Sequence, residues 1–146
     1  MVSKKIKILY LISVSVFVSY FIFLLYNYSG ISEIVASHIN IKGEIDGYGS
    51  KKYLFVSSGI NFIMLLFIGL LIKNPQSANY PIEINDSNRD SVYKKMQFFL
   101  SILSIIVTAI FSYMIFNAVN HKNDFIFLII YLIISPLIAI IYFNKK

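Results

Sequence analysis

Long apolar stretches alternate with shorter polar ones along most of this chain. Four stretches contain no charged residue, and they cover residues 8–26, 53–72, 96–119 and 125–143. At a rise of 1.5 Å per residue, the first stretch reaches about 28 Å, close to the hydrocarbon thickness of a bilayer. The pattern therefore predicts four transmembrane helices, of which the last two are joined by a tight turn.

The composition supports this interpretation of the apolar stretches. Of the 146 residues, 58% are hydrophobic and 14% are charged, and the mean hydropathy is +0.73. Soluble domains have about 45–50% apolar and about 25% charged residues, so this chain needs lipid as part of its solvent. We predict a single all-α integral membrane domain over residues 1–146. The absence of cysteine excludes disulfides and thiolate chemistry.

The distribution of basic residues predicts the orientation, because cytoplasmic loops carry an excess of lysine and arginine. Four spans place both termini and the second loop on one side, and the first and third loops on the other. The first side holds nine basic residues: Lys4, Lys5, Lys7, Lys73, Arg89, Lys94, Lys95, Lys145 and Lys146. The other side holds four: Lys42, Lys51, Lys52 and Lys122. Both termini are therefore expected in the cytoplasm.

The outer loop, residues 27–52, has a pattern of its own. Four residues follow the spacing i, i+3, i+4, i+7, which is typical of one helix face: Ile31, Ile34, Val35 and His38. This spacing predicts a short amphipathic helix at the membrane surface. Asp46-Gly47 predicts a turn farther along the same loop.

The inner loop, residues 73–95, leads into the third span. Its pair Ser87-x-x-Asp90 resembles a capping box, which places the acceptor side chain and the acidic residue at the start of a helix. The third helix is therefore expected to begin in the cytoplasm, before the lipid.

The polar residues inside the spans carry hydroxyl or amide side chains. The third span carries a stripe on one helix face, and the second span carries an asparagine: Ser101, Ser104, Thr108, Ser112 and Asn61. Small hydroxyl side chains favour close helix packing, although a substrate path is the alternative. The spans contain no Asp, Glu, Lys, Arg or His, which argues against an ion-coupled transporter.

The outer loop also carries an extended motif of glycine, charge, histidine and an aromatic residue: His38-x-Asn40-x-x-Gly43-x-x-Asp46-Gly47-Tyr48-Gly49-Ser50-Lys51. It resembles the signature of the N-terminal membrane domain of the SdpI family, a domain of unknown function in bacterial membrane proteins. A second similarity lies in the inner loop, at Asn79-Tyr80-Pro81 and in residues 88–93. The family's C-terminal half has no counterpart here. The resemblance implies a multi-pass protein of the bacterial plasma membrane and a role in immunity to a secreted toxin.

His38 has three interpretations on the residues alone. It bonds loop backbone as a structural histidine, or it contacts an outside peptide or lipid headgroup. It could also join His121, Glu44, Asp46 or Asp124 as a metal ligand, although no HxxxH or HExxH spacing supports a metal site.

The leading hypothesis is therefore a membrane immunity or toxin-sensing protein that acts through its outward loop. The alternative is an accessory subunit of a transporter or other membrane complex, docked through the hydroxyl stripe. An outward-facing metal-dependent enzyme is a third and weaker hypothesis. We expect no catalysis and no cofactor. The expected partners are the lipid bilayer and either a secreted peptide toxin or another membrane protein. Nucleic acid is not expected, because Arg89 is the only arginine.

Overall fold

A computed structural model describes residues 2–40, 42, 44–80 and 82–119, together with the single positions 134, 141 and 142. Within this part of the chain lie three long helices and one β-hairpin.

The helices are α1 (Lys4–Asn27), α2 (Tyr53–Lys73) and α3 (Arg89–Val119). Each is long and apolar enough to cross a membrane, and the first three predicted spans lie within them. The predicted fourth span, residues 125–143, falls outside the described residues except at three positions. What the structure supports is a mostly helical protein with three helices able to span a bilayer.

Helix α3 packs against both α1 and α2, which contact each other less. Two apolar clusters lie at opposite ends of this three-helix arrangement. The cluster beside the hairpin consists of Tyr20, Leu24, Ile31, Val35, Leu54 and Ile115. The cluster at the other end consists of Ile6, Ile68, Ile72, Met96 and Leu100. The hairpin is therefore part of the packed structure and contributes to its core.

The hydroxyl stripe lies mostly inside the bundle. Ser101, Ser104 and Thr108 are fully buried. The Ser101 hydroxyl donates to the carbonyl of Phe98 at 2.7 Å, and that of Ser104 donates to the carbonyl of Ser101 at 2.8 Å. Both hydroxyls thus bond within their own helix, and their small size allows the helices to approach closely.

A bond between two side chains joins α1 to α2 in this buried polar layer. The hydroxyl of Tyr20 in α1 donates to Oδ1 of Asn61 in α2 at 2.8 Å, and Asn61 is fully buried. The amide nitrogen of Asn61 and the hydroxyl of Thr108 have no hydrogen-bond partner among the described residues. Ser112, the last member of the stripe, is only half-buried.

The connection between α2 and α3 folds back on the helix ends. The Gln97 amide donates to the carbonyl of Ile72 at 2.8 Å, which satisfies an orphan carbonyl at the end of α2. The hydroxyl of Tyr80 donates to the carbonyl of Pro75 at 2.7 Å, and burial raises the pKa of Tyr80. The first bond joins α3 to the end of α2, and the second closes the loop between them.

Helix α3 starts before its apolar part, as the sequence predicts, but its cap is a different residue. The side chain of Asn85 accepts from the backbone N–H of Ser87 and of Asn88, both at 3.1 Å. The hydroxyl of Ser87 donates to Asn85 instead of capping Asp90. Asparagine accepts local backbone bonds readily, and it occupies the capping role here.

The predicted amphipathic helix in the outer loop is wrong. Residues Ile34–Ile39 form strand β1, which pairs antiparallel with strand β2, Ile45–Ser50. A two-turn helix gains little from its own hydrogen bonds, whereas a β-branched segment beside a second strand gains a ladder. Ile34, assigned to the apolar helix face, is 67% exposed.

Candidate functional site

The hairpin between α1 and α2 contains the whole motif that the sequence singled out, and one asparagine builds its turn. The side-chain oxygen of Asn40 accepts from the backbone N–H of Lys42 at 2.9 Å and of Glu44 at 3.0 Å. Its amide donates to the Glu44 carboxylate at 2.8 Å, and its backbone N–H donates to the Glu44 carbonyl at 2.9 Å. Asn40 therefore holds the turn closed.

The predicted turn at Asp46-Gly47 is wrong, because both residues lie inside β2. The chain reverses between Asn40 and Glu44 instead. Gly47 has no left-handed backbone angle and is needed for a different reason. A Cβ on Gly47 would lie 2.9 Å from the Cβ of His38 across the strand pair.

Gly49 is required by a similar close approach. A Cβ at this position would lie 2.7 Å from the ring of Tyr53, in the first turn of α2. The Tyr53 ring thus lies directly on the backbone of β2. Both glycines let a neighbouring side chain contact the strand, which explains glycine here without a turn.

Lys51 anchors the hairpin to the end of α1. It is only 8% exposed, and its Nζ donates to the carbonyls of Tyr28 at 3.3 Å and Ile31 at 3.2 Å. The same Nζ lies 2.9 Å from the Glu33 carboxylate and 4.7 Å from the centre of the Tyr28 ring. A cation at the carboxyl end of α1 is also favoured by the helix dipole. Lys51 is used internally and is not available as a contact for a ligand.

A histidine–aspartate pair lies on the exposed side of the strands. Nδ1 of His38 contacts Oδ1 of Asp46, and both side chains are accessible to solvent. The strand register is irregular here, since His38 pairs with Gly47 and Ile39 pairs with Ile45. Such β-bulges redirect side chains, and this one brings the imidazole and the carboxylate together.

The side chains on one side of the strands form a continuous face, which is exposed except at the half-buried Ala36. Side chains directly opposite each other in an antiparallel pair share a face, and Ile34 is opposite Ser50 while Ala36 is opposite Tyr48. We define the exposed hairpin face by these four residues and the histidine–aspartate pair: Ile34, Ala36, His38, Asp46, Tyr48 and Ser50. Tyr48 is its largest side chain and is 66% exposed. Val35, which points the other way, is buried in the core.

The structure separates the predicted binding residues into two groups. His38, Asp46, Tyr48 and Ser50 are exposed on one face. The remaining described members shape or anchor the hairpin: Asn40, Gly47, Gly49 and Lys51. Gly43 lies outside the described residues. Sequence reasoning missed Ile34 as an exposed member of the face, and only its pairing with Ser50 reveals it.

The described residues do not bring together enough ligands for the metal site that the sequence left open. His38 contacts Asp46, but no third histidine or carboxylate of the described part lies close enough to complete a site. Glu44 is engaged with Asn40. His121 and Asp124 lie outside the described residues.

A comparison with protein families finds a match that contains the hairpin. A family model described as a domain of unknown function, DUF1648, matches residues 16–68. The match begins in the middle of α1, includes the whole hairpin and ends within α2. No curated protein and no solved structure matches the chain.

Proposed function

We propose that this protein is an SdpI-like membrane protein that senses or confers immunity to a secreted peptide toxin through its exposed hairpin face. In this proposal the chain lies in the bacterial plasma membrane with both termini in the cytoplasm, and the hairpin faces outward. The role is binding and not catalysis.

The main support for this proposal is that an exposed aromatic residue, Tyr48, lies beside the pair of His38 and Asp46 on an anchored hairpin. Tyr48 offers a large amphipathic surface, and His38 and Asp46 offer a donor and an acceptor next to it. Tyrosine is a frequent anchor in binding surfaces, because its ring gives contact area at a small cost in conformational entropy.

The contacts of the hairpin with α1 and α2 also support a sensing role. Lys51 bonds the end of α1, and the Tyr53 ring of α2 lies on β2 at Gly49. A ligand that displaced β2 would therefore strain contacts to two helices. Binding outside the membrane would then be coupled to helix positions within it.

The test is a toxin challenge of cells that do and do not express the protein, with a secreted peptide encoded beside its gene. Tyr48→Ala should abolish most of the protection at unchanged protein abundance. The matched control is Tyr26→Ala, since Tyr26 is 87% exposed at the end of α1 and lies outside the hairpin. Full protection by Tyr48→Ala, or equal loss with Tyr26→Ala, would refute the proposal.

The accessory-subunit alternative gains no specific support. It required the hydroxyl stripe as a docking face, and three of its members, Ser101, Ser104 and Thr108, are fully buried among the helices.

A further inference from the structure

An open groove runs between α1 and α3 on the surface of the bundle. Its volume is about 520 Å³, and its apolar lining includes Ile8, Leu11, Ile12, Val16, Phe23 and Phe116. Ile8, Leu11, Ile12 and Phe116 are exposed in it. Both walls belong to helices that are able to span a membrane, so the groove faces the lipid region.

Basic residues lie at one end of this groove. Lys5 precedes Ile8 by three residues and Ile12 by seven, so the three share one face of α1. The Nζ of Lys5 lies 4.8 Å from the centre of the Phe98 ring in α3. The ammonium group therefore bridges from α1 to α3 at the foot of the groove.

Helix α3 supplies a second lysine at the same end of the bundle as Lys5. Lys94 is exposed and lies one turn before Phe98, on the same helix face. Lys94 also precedes Ser112, which lines the groove, by eighteen residues, or about five full turns. Lys94 therefore lies on the same face of α3 as Ser112, about 27 Å away and near the end of the bundle where Lys5 lies.

We infer that this seam binds an anionic phospholipid, with the phosphate held by Lys5 and Lys94 and an acyl chain lying in the groove. The charge at the foot and the apolar walls above it match the two chemically different parts of such a lipid. The wall from Ile8 to Phe23 rises about 22 Å, which exceeds the roughly 15 Å that one leaflet of a bilayer supplies. The groove is therefore long enough for a chain from the leaflet nearest the lysines.

The ring of Tyr142 gives the site an aromatic wall at the level of the headgroup. Its centre lies 6.0 Å from that of Phe98, the same ring that Lys5 contacts. Tyrosine favours this depth in a bilayer, where one part of the ring is apolar and the hydroxyl is wet.

The experiment titrates the purified full chain with phosphatidylglycerol and follows bound lipid by native mass spectrometry. Phosphatidylcholine with the same chains tests the charge, and glycerol phosphate tests the headgroup without chains. The double variant Lys5→Gln/Lys94→Gln should weaken phosphatidylglycerol binding about 25-fold, since each lysine near an anionic surface contributes about fivefold. Arginine at both positions should restore the binding.

The matched control is Lys7→Gln/Lys73→Gln, which removes two exposed charges from the same end of the bundle but away from the seam. It should change binding by less than about twofold. Equal losses in the two double variants would indicate a diffuse basic surface and would overturn the inference. Equal binding of phosphatidylcholine, or of glycerol phosphate, would also overturn it.

The groove itself is tested with Leu11→Trp, which fills it, against Leu70→Trp on the exposed face of α2. Only the first should displace the lipid. Rapid disulfide formation by Leu11→Cys, with a second copy or with a cysteine in residues 125–143, would show a protein occupant and refute the lipid site.

Discussion

Lys51 contacts Tyr28 in two ways, with its Nζ 3.3 Å from the Tyr28 carbonyl oxygen and 4.7 Å from the centre of the Tyr28 ring. This contact joins the end of β2 to the end of α1, across 23 residues of sequence. It fixes the hairpin at its base, so the exposed hairpin face is presented by a defined support.

Replacement of this lysine should destabilise the protein. Lys51→Met keeps much of the side-chain volume but removes the ammonium donor from the carbonyls of Tyr28 and Ile31. A hydrogen bond to a charged group contributes about 1.5–3 kcal/mol, and the Tyr28 carbonyl keeps the N–H of Ile31, so we expect a loss of about 2–3 kcal/mol. Thermal unfolding in detergent measures it. Lys52→Met is the neighbouring control, because Lys52 is exposed, and its midpoint should stay unchanged.

The Gly49 position should not accept a Cβ. Gly49→Ala would push the added carbon against the Tyr53 ring, and we expect a cost of about 1–3 kcal/mol from this overpacking. Gly59→Ala has open space and lies inside α2, so it should be neutral or stabilise by about 1 kcal/mol. The double variant Gly49→Ala/Tyr53→Ala should recover most of the loss. Additive losses in the double variant would show that the ring is not the cause.

The turn should depend on the oxygen of Asn40 more than on its nitrogen. Asn40→Ala removes the acceptor for the Lys42 and Glu44 amides, whereas Asn40→Asp keeps it. Hydrogen exchange of the Glu44 amide should accelerate about fivefold in the alanine variant, since one lost bond is worth about 1 kcal/mol, and less in the aspartate variant. Identical exchange rates in the two variants would contradict this account of the turn.

The hydroxyl of Thr108 is buried without a partner among the described residues, so it should be dispensable. Thr108→Val removes the polar atom at nearly constant shape and should leave the unfolding midpoint equal or higher. Thr108→Leu adds volume at a fully buried position and should cost about 1–3 kcal/mol. Ile106→Leu, at a half-buried neighbour, is the control with little effect. A destabilised valine variant would show that the hydroxyl has a partner in the folded protein.

The three long helices were predictable, because a bilayer requires an uncharged apolar stretch of a given length, and local sequence alone shows such a stretch. The hairpin was not, because the contacts that decide it join distant residues. The spacing of Ile31, Ile34, Val35 and His38 fits a helix equally well, and only pairing with β2 selects the strand. Gly47 was rightly identified as a special position, but the reason is the Cβ of His38 and not a turn.

The same limit applies to Lys51. A lysine in a polar loop favours an exposed position on composition alone, and no local pattern predicts that its ammonium group meets carbonyls beyond the end of α1. The sequence therefore singled out this segment, but it could not separate the residues that form the hairpin from those that face solvent.

The orientation of the hairpin is the claim on which the proposed function depends. Tyr48→Cys places a thiol on the exposed hairpin face, and Ser77→Cys places one in the connection between α2 and α3, where Ser77 is exposed. The basic residues at the other end of the bundle predict that Tyr48→Cys reacts with a membrane-impermeant thiol reagent in intact cells. Ser77→Cys should react only after lysis. Labelling of Ser77→Cys in intact cells, with Tyr48→Cys protected until lysis, would contradict the account.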